Sequence, residues 1–505
     1  MARVEINMGL NRVEGDLEIG VTLEDGVVVD ARTIGTLYRG FEQILVGRSP
    51  RDAMVITPRV CGICGTAHLY AAVLALEQAW NLPVPANATR IRNLCLMAEG
   101  IQNDLRQTFL FFAPDFCNPR YQDHPLFAEL MAAFEPFKGG LHRETLRVTR
   151  RVVEIVAHFG GQWPHSSYML PGGVVTPPDE RRVLACRAVL DEARAWYERR
   201  VIGAPLDEWL ALDSAESLFA WLEAPARAAS ALGLMTRFTR SLDMHRLGAG
   251  IPHMISFGSW CDPLQPGSHL LPAGFYDGDS GRVQALDQAR INEHVRHSWF
   301  RPYAGGRHPF EGETVPDFQP GGDRYTWAKA PRYGDRVVQT GPLAELLIAG
   351  DPLITSLHAA EGGNAWLRQF ARVRRAGVEL LRARRMLDEL AANLDAPHYL
   401  APPPGSERDG QGCGMVMAAR GALGHWVKIK DGVVERYQIV TPTAWNASPR
   451  DSSGEMGHWE RSLIGVKVRD PDDPVEIGHL IRSHDPCLVC TVHMLGSGRK
   501  LRFAP

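Results

Sequence analysis

Apolar and polar residues alternate in "DLEIGVTL" (16–23) and again in "GVVVDARTI" (26–34). A period of two on both sides of the turn signal "EDG" predicts an antiparallel hairpin. The spacing then becomes helical. "YRGFEQILVG" (38–47) predicts a short helix. "SPRDAMVI" (49–56) predicts another, with Ser49 as N-cap and Pro50 at the first helical position. Longer helices are predicted over "GTAHLYAAVLALEQAW" (65–80), "NATRIRNLCLMAEGIQNDLRQTFLFF" (87–112), "LHRETLRVTRRVVEIVAHFG" (141–160) and "PPDERRVLACRAVLDEARAWYERRVI" (177–202). Helix continues to about Arg246. From 248 to 341 glycine, proline and aromatic residues are frequent, as in loops and short strands. Helices return in "GPLAELLIAG" (341–350) and at 364–394, and "PPPG" (402–405) breaks the chain. A second hairpin, "ALGHWVKIK-DG-VVERYQIV" (422–440), leads into short helices. With no fixed-period repeat and no low-complexity linker, the pattern predicts one predominantly helical α+β unit: a central helix bundle with small peripheral hairpins and sheets.

Composition narrows the function classes. The 505 residues are 45% hydrophobic and 22% charged, the mix of a globular protein with a large core. A net charge of −3, with the basic residues spread along the chain, gives no sign of a nucleic-acid or anionic-membrane partner. No stretch reaches the roughly 20 apolar residues of a membrane span. The N-terminus "MARVEINMGLNRVEGD" lacks the basic-then-apolar pattern of an export signal, so a cytoplasmic location is expected, peripheral to a membrane at most through partners. There the nine cysteines should be mostly reduced. Cys95, Cys117, Cys186, Cys261 and Cys413 stand alone and read as small core residues.

The other four form a pattern. "RVCGICGTAH" (59–68) carries Cys61 and Cys64, and "DPCLVCTVH" (485–493) carries Cys487 and Cys490. Four thiolates suit zinc, iron or nickel and disfavour magnesium or calcium. A structural zinc is one reading. Zinc ribbons, however, usually close about 15–20 residues between pairs, and here 423 positions separate Cys64 from Cys487. A thioredoxin-like redox pair leaves the second motif unexplained. His68 and His493, each following a Cys-x-x-C, suggest groups that orient or tune a metal's ligands.

With these motifs the sequence resembles the large, catalytic subunit of NiFe hydrogenases over nearly its whole length. The resemblance extends to "NRVEGD" (11–16), "YRGFEQIL" (38–45), "GGQWPHSSYMLPGGV" (160–174), "WAKAPRYG" (327–334), "ARGALGHW" (419–426) and "TPTAWNASPRD" (441–451). The 160–174 wording is closest to the cytoplasmic uptake branch typified by cyanobacteria. The resemblance implies that the two ends of the chain meet at one Ni–Fe centre, whose iron carries CO and two CN ligands. Cys61 and Cys487 would be terminal ligands to nickel, and Cys64 and Cys490 would bridge nickel to iron. It also implies oxidation of H2, with Cys487 as first proton acceptor and Glu14 as the next. Arg420 would lie over the open coordination position, paired with Asp485, and Thr443 would donate to a cyanide. Glu42 and His493 would hold a separate magnesium or iron ion.

The chain departs from the family pattern in two places. Ala419 precedes the arginine where proline is common, which bears on local backbone rigidity. Asn103 stands where membrane-associated relatives often carry an acid, which would leave Asp485 as the electrostatic partner of Arg420. His165 falls in a family motif near a subunit interface, with no chemical step assigned. The resemblance further implies a domain of residues 1–493. The segment 494–505 would then be removed by a maturation endopeptidase after nickel-insertion proteins have acted. Because no further cysteine set is present, electrons require an iron–sulfur small subunit. An H2-sensing subunit is the alternative function, but sensors commonly replace the histidine at 68 with glutamine and lack the tail. A non-catalytic subunit of the respiratory quinone-reductase type lacks the four cysteines.

Overall fold

The computed structural model describes residues 3–10 and 17–487. The expected first hairpin is present, Leu17–Glu24 against Val27–Gly35. Asp25 and Gly26 both take positive φ (51° and 80°), the turn whose twist matches the flanking strands. A strand not anticipated from the sequence, Arg3–Gly9, adds to the other edge of Leu17–Glu24. Leu17, Ile19, Val21 and Leu23 point to one buried face. They pack there on Trp459, Leu463, Ile477, Leu480 and Ile481 near the C-terminal end, so the first and last parts of the chain share one core.

The centre is helical. Helices Gly65–Trp80, Ala86–Arg106, Gly140–Val152, Glu154–Gly160, Glu180–Trp196 and Ala365–Ala391 form the main core. The pattern over 141–160 predicts one helix, but the structure breaks it at Val153. Ser49 stands at an N-cap position with Pro50 next. The turn it opens is 3-10, and its side chain makes no cap bond. Ala86–Arg106 is buried on nearly every side despite its many polar residues. Their charges are matched across helices. Arg92 grips Glu77 with two bonds (2.7 and 3.0 Å), and Arg375 grips Asp104 with two of 2.7 Å. Removing one partner of such a pair leaves a buried charge, so each pair fixes the relative position of its helices.

The second hairpin, Gly421–Lys430 with Val433–Val440, gains a third strand, Gly410–Ala418. That strand lies directly on the Gly65–Trp80 helix. A Cβ at Gly410, Gly412 or Gly414 would sit 2.3, 2.1 or 1.9 Å from the carbonyl oxygens of Ala79, Ala75 and Ala71. Glycine facing alanine lets the two backbones touch. The 248–341 segment contributes short strands, including Met254–Cys261 and His269–Asp277, as its composition suggests. Among the described residues no helix is long and apolar enough to cross a membrane.

Candidate metal centre

The 57–64 segment brings Cys61 and Cys64 to the start of the Gly65–Trp80 helix, with Cys64 at the N-cap position. Two devices hold this end. Glu99 accepts the backbone N–H groups of Thr66 (2.9 Å) and Ala67 (3.2 Å), capping the helix from a neighbouring helix. His165, itself at positive φ, contacts the Pro58 carbonyl through Nδ1 at 3.0 Å. That fixes the loop before the cysteines and gives His165 a positioning task. From the other end of the chain, the Cys487 N–H donates to Thr443 Oγ1 at 3.1 Å. Cys487 Sγ then lies 3.5 Å from Cys61 Sγ, too far for a disulfide. The sulfurs of Cys61, Cys64 and Cys487, all buried, lie within 4.8 Å of one another.

Over the thiols sits Arg420, 2% exposed. Its Nε donates to Asp485 Oδ1 at 3.0 Å, and Asn103 Nδ2 donates to Asp485 Oδ2 at 2.6 Å. Asn103 thus braces the acid rather than the arginine. Burial opposes the Arg420 charge, but Asp485 and the thiols of Cys487, Cys61 and Cys64 outweigh it and hold the guanidinium charged. Nη1 and Nη2 have no hydrogen-bond partner among the described residues. The backbone just before Arg420 is tied by Arg375, which donates to the Ala419 carbonyl.

Beside the thiols, His68 Nδ1 contacts His425 Nε2 at 3.0 Å, and His425 Nδ1 contacts the Tyr437 hydroxyl at 2.8 Å. Burial lowers the pKa of both rings, His68 to about 4, so both are neutral. The Nδ1 side of His68 thus faces another histidine, in a buried chain that ends at Tyr437.

A model of the family described as nickel-dependent hydrogenase matches residues 39–126 and 232–493. This chain belongs to that family. The hydrogenase is 33% identical over 520 residues to the periplasmic NiFeSe hydrogenase large subunit of Desulfomicrobium baculatum, covering 96% of this chain and 94% of that one. It is 29% identical over 579 residues to the uptake hydrogenase large subunit of Rhodobacter capsulatus, covering 97% and 94%. The solved structure of the H2-activated NiFeSe hydrogenase from Dm. baculatum superposes with a TM-score of 0.82 at 32% identity, covering 97% of this chain and 100% of that one. The hydrogenase is thus an oxidoreductase acting on H2. It is the large subunit, which implies a small-subunit partner.

The residues present fit a Ni–Fe centre. Soft, buried sulfur donors converge from both ends of the chain, and a buried guanidinium keeps two donors without acceptors among the described residues. Cys61, Cys64 and Cys487 of the hydrogenase would hold the metals. Cys490, Glu14 and His493 lie outside the described residues. Glu42 is nearly buried, and its Oε1 accepts the Ile439 N–H at 2.8 Å while Oε2 takes the Thr314 hydroxyl. Lys329 Nζ lies 3.9 Å from Glu42 and bonds Glu293 (3.2 Å) and Gln438. Such oxygen donors suit a hard cation, with Lys329 already supplying one positive charge. Sequence reading missed Glu293, Lys329, His425 and Tyr437. Lys329 lies in the quoted "WAKAPRYG" and His425 in "ARGALGHW", so the motifs held a signal for those two.

Proposed function

We propose that this chain is the H2-oxidising large subunit of an uptake hydrogenase. The reading rests on the buried thiol cluster beneath a charged arginine that is itself braced by Asp485. When bound, the nickel–iron pair supplies a redox-active Lewis acid at which H2 is polarised and its electrons are taken up. The protein's own groups do the rest. Cys61, Cys64, Cys487 and Cys490 hold the pair. The Cys487 thiolate takes the first proton, and Glu14, in the quoted "RVEGD", carries it outward. Arg420 presents its two remaining donors over the site, fixed and permanently charged. The Thr443 hydroxyl accepts from the Cys487 backbone and keeps its own hydrogen for an iron-bound cyanide.

Glu42 and His493 hold a magnesium or iron ion that ties the C-terminal segment to the N-terminal part. Residues 1–493 are the working domain, and 494–505 are removed during maturation. The cysteines outside the thiol cluster form no further metal-binding group among the described residues. An iron–sulfur small subunit therefore receives the electrons, on the cytoplasmic side. Metal analysis and infrared spectroscopy of the purified two-subunit protein test the centre: nickel together with carbonyl and cyanide bands is expected, and zinc without such bands would refute it. Steady H2 consumption with an artificial electron acceptor separates the enzyme from an H2 sensor.

A further inference from the structure

Helix Val475–Ser483 stops two residues before Asp485 and four before Cys487. The end of a helix leaves its last carbonyl groups without partners inside the helix. Here side chains from two other helical segments meet them. Gln107 Nε2 donates to the Arg482 carbonyl at 2.5 Å, and Gln369 Nε2 donates to the same oxygen at 3.2 Å. Arg372 Nη1 donates to the Ser483 carbonyl at 2.6 Å and to the Arg368 carbonyl of its own helix at 3.0 Å. All three side chains are buried. Thr108 Oγ1 donates to Gln369 Oε1 at 3.3 Å, which leaves the Gln369 amide nitrogen for Arg482.

These bonds belong to a larger clamp. Asn103, which holds Asp485, stands four residues before Gln107, and side chains so spaced are neighbours on a helix. Gln107 itself opens a six-residue π-helix, Gln107–Phe112, that extends Ala86–Arg106. Gln369 and Arg372 are likewise neighbours, three apart on Ala365–Ala391. Two helical segments thus supply two grips each on residues 482–485. Asp485 and Asp104 act on the Arg372 charge, but among the described residues neither forms an ion pair with it. A buried guanidinium needs compensation, and the Ser483 carbonyl supplies it from the negative end of a helix. Just past that end Asp485 has φ 59°, at a place where glycine is usual. The turn aims its carboxylate at Arg420. Only Pro486, whose ring fixes φ, separates Asp485 from Cys487.

We propose that Gln107, Gln369 and Arg372 are positioning residues of the metal centre. By fixing where helix Val475–Ser483 ends, they set where Asp485 and Cys487 stand. No slack lies between the clamp and the ligand, so a shift of the helix end is passed on to the Cys487 sulfur and to its 3.5 Å separation from Cys61. The consequence for the proposed reaction, on which this part rests, is that two groups are placed together. The thiolate that takes the proton and the acid that braces Arg420 ride on one clamped segment.

Amide hydrogen exchange of the two-subunit enzyme, read by mass spectrometry, tests the clamp. The N–H groups of His484, Asp485 and Cys487 are bonded to the Ile481 and Arg482 carbonyls and to Thr443 Oγ1. Arg372→Met keeps an unbranched side chain and removes the charge and its donors. In that variant the three amides should exchange about 10-fold faster or more, the scale of a lost hydrogen bond to a charged group. Helix Glu180–Trp196 should exchange as in wild type. Carbonyl and cyanide infrared bands should shift at unchanged nickel content. Arg372→Lys, which keeps the charge and a donor, should restore both readouts. Unchanged exchange across 475–487 overturns the proposal, as does an acceleration spread evenly over the chain, or infrared bands that stay put while the segment loosens. The exchange is legible whichever metal the thiols hold, so this result stands apart from the functional reading. Should Arg372→Met not assemble, Gln369→Met, which leaves Gln107 on the Arg482 carbonyl, is judged by the same outcomes.

Discussion

Changing Asp485 to asparagine tests whether the brace on Arg420 is electrostatic. The wild-type carboxylate accepts from Arg420 at one oxygen and from Asn103 at the other, and all three side chains are buried. An asparagine has one acceptor oxygen. If it faces Arg420, its amide meets the Asn103 amide, donor against donor. Flipped, its amide meets the Arg420 Nε–H. Unless Asn103 flips to present its Oδ1, one buried donor is left without an acceptor, a loss of about 1–3 kcal/mol. Arg420 also loses its principal counter-charge, and breaking a buried pair typically costs about 3–5 kcal/mol. The thiolates still face the guanidinium, so the two terms do not add in full. We expect the Asp485→Asn large subunit to be destabilised by about 3–5 kcal/mol, measured by denaturant unfolding of the two-subunit protein. The informative control is the swap, Asn103→Asp with Asp485→Asn. The carboxylate introduced at position 103 would accept from the new amide N–H at position 485, while that amide's oxygen accepts from Arg420. Every bond is restored, and the cluster keeps one carboxylate. The double variant should recover at least half of the lost stability. A single variant within about 0.5 kcal/mol of wild type, or a double variant worse than the single, would contradict the reasoning.

Cys487→Ser is expected to abolish H2 oxidation while the two subunits still assemble; near-normal turnover would remove both roles given to this thiol. Glu14→Gln keeps the shape but cannot take up a proton, so activity should fall by ~10²-fold or more with unchanged infrared bands. Unchanged proton–deuteron exchange would sink the relay. Burial raises the Glu99 carboxyl from 4.5 to about 7 against the pull of its Thr66 and Ala67 bonds. A raised carboxyl favours the folded state only while protonated. Its contribution is full below about pH 4.5 and is lost as pH rises through about 7, roughly 3 kcal/mol at about 1.4 kcal/mol for each pH unit. Glu99→Gln should flatten the stability profile across that window, and an unaltered profile would count against the assignment. Intact-mass measurement should show active protein ending at His493 and nickel-starved cells holding the longer form. Active, nickel-loaded protein that retained Pro505 would mean the tail is a structural terminus.

Much of this architecture was legible because periodicity survives wherever one face is buried. Both hairpins and the long helices lie where their patterns put them. Arg3–Gly9 escaped notice because its few alternating residues become a strand only by pairing with Leu17–Glu24. Gly410–Ala418 escaped for the opposite reason. Three glycines argue against a strand by propensity, yet here they serve close approach to a helix. The break at Val153 falls at a pair of β-branched residues that a helical period alone does not mark. At the site, paired cysteines announce themselves by spacing, and Asp485 pairs with Arg420 as expected. Asp104, Glu345 and Arg375 lie on three different helices, and nothing in a local window marks them as buried. Arg375 bonds both acids in the core, across separations that no local window spans. Lys329 and Glu293 are hidden in the same way.

The contact of Gly410, Gly412 and Gly414 with Ala79, Ala75 and Ala71 works as a ruler. Two residues of strand advance about 6.8 Å and four residues of helix about 6.0 Å, so the small residues stay nearly in step over the whole contact. With no side chain between them, the helix can neither roll nor slide without driving backbone into backbone. The helix begins just after Cys64 and carries His68 in its first turn, and the strand ends at Ala418, two residues before Arg420. Ligand and guanidinium are therefore measured off the same scale, from a surface that holds no reactive group. Distances at the metal centre depend on glycines that never approach it. A methyl group added at any of these three positions would be felt as a displaced ligand.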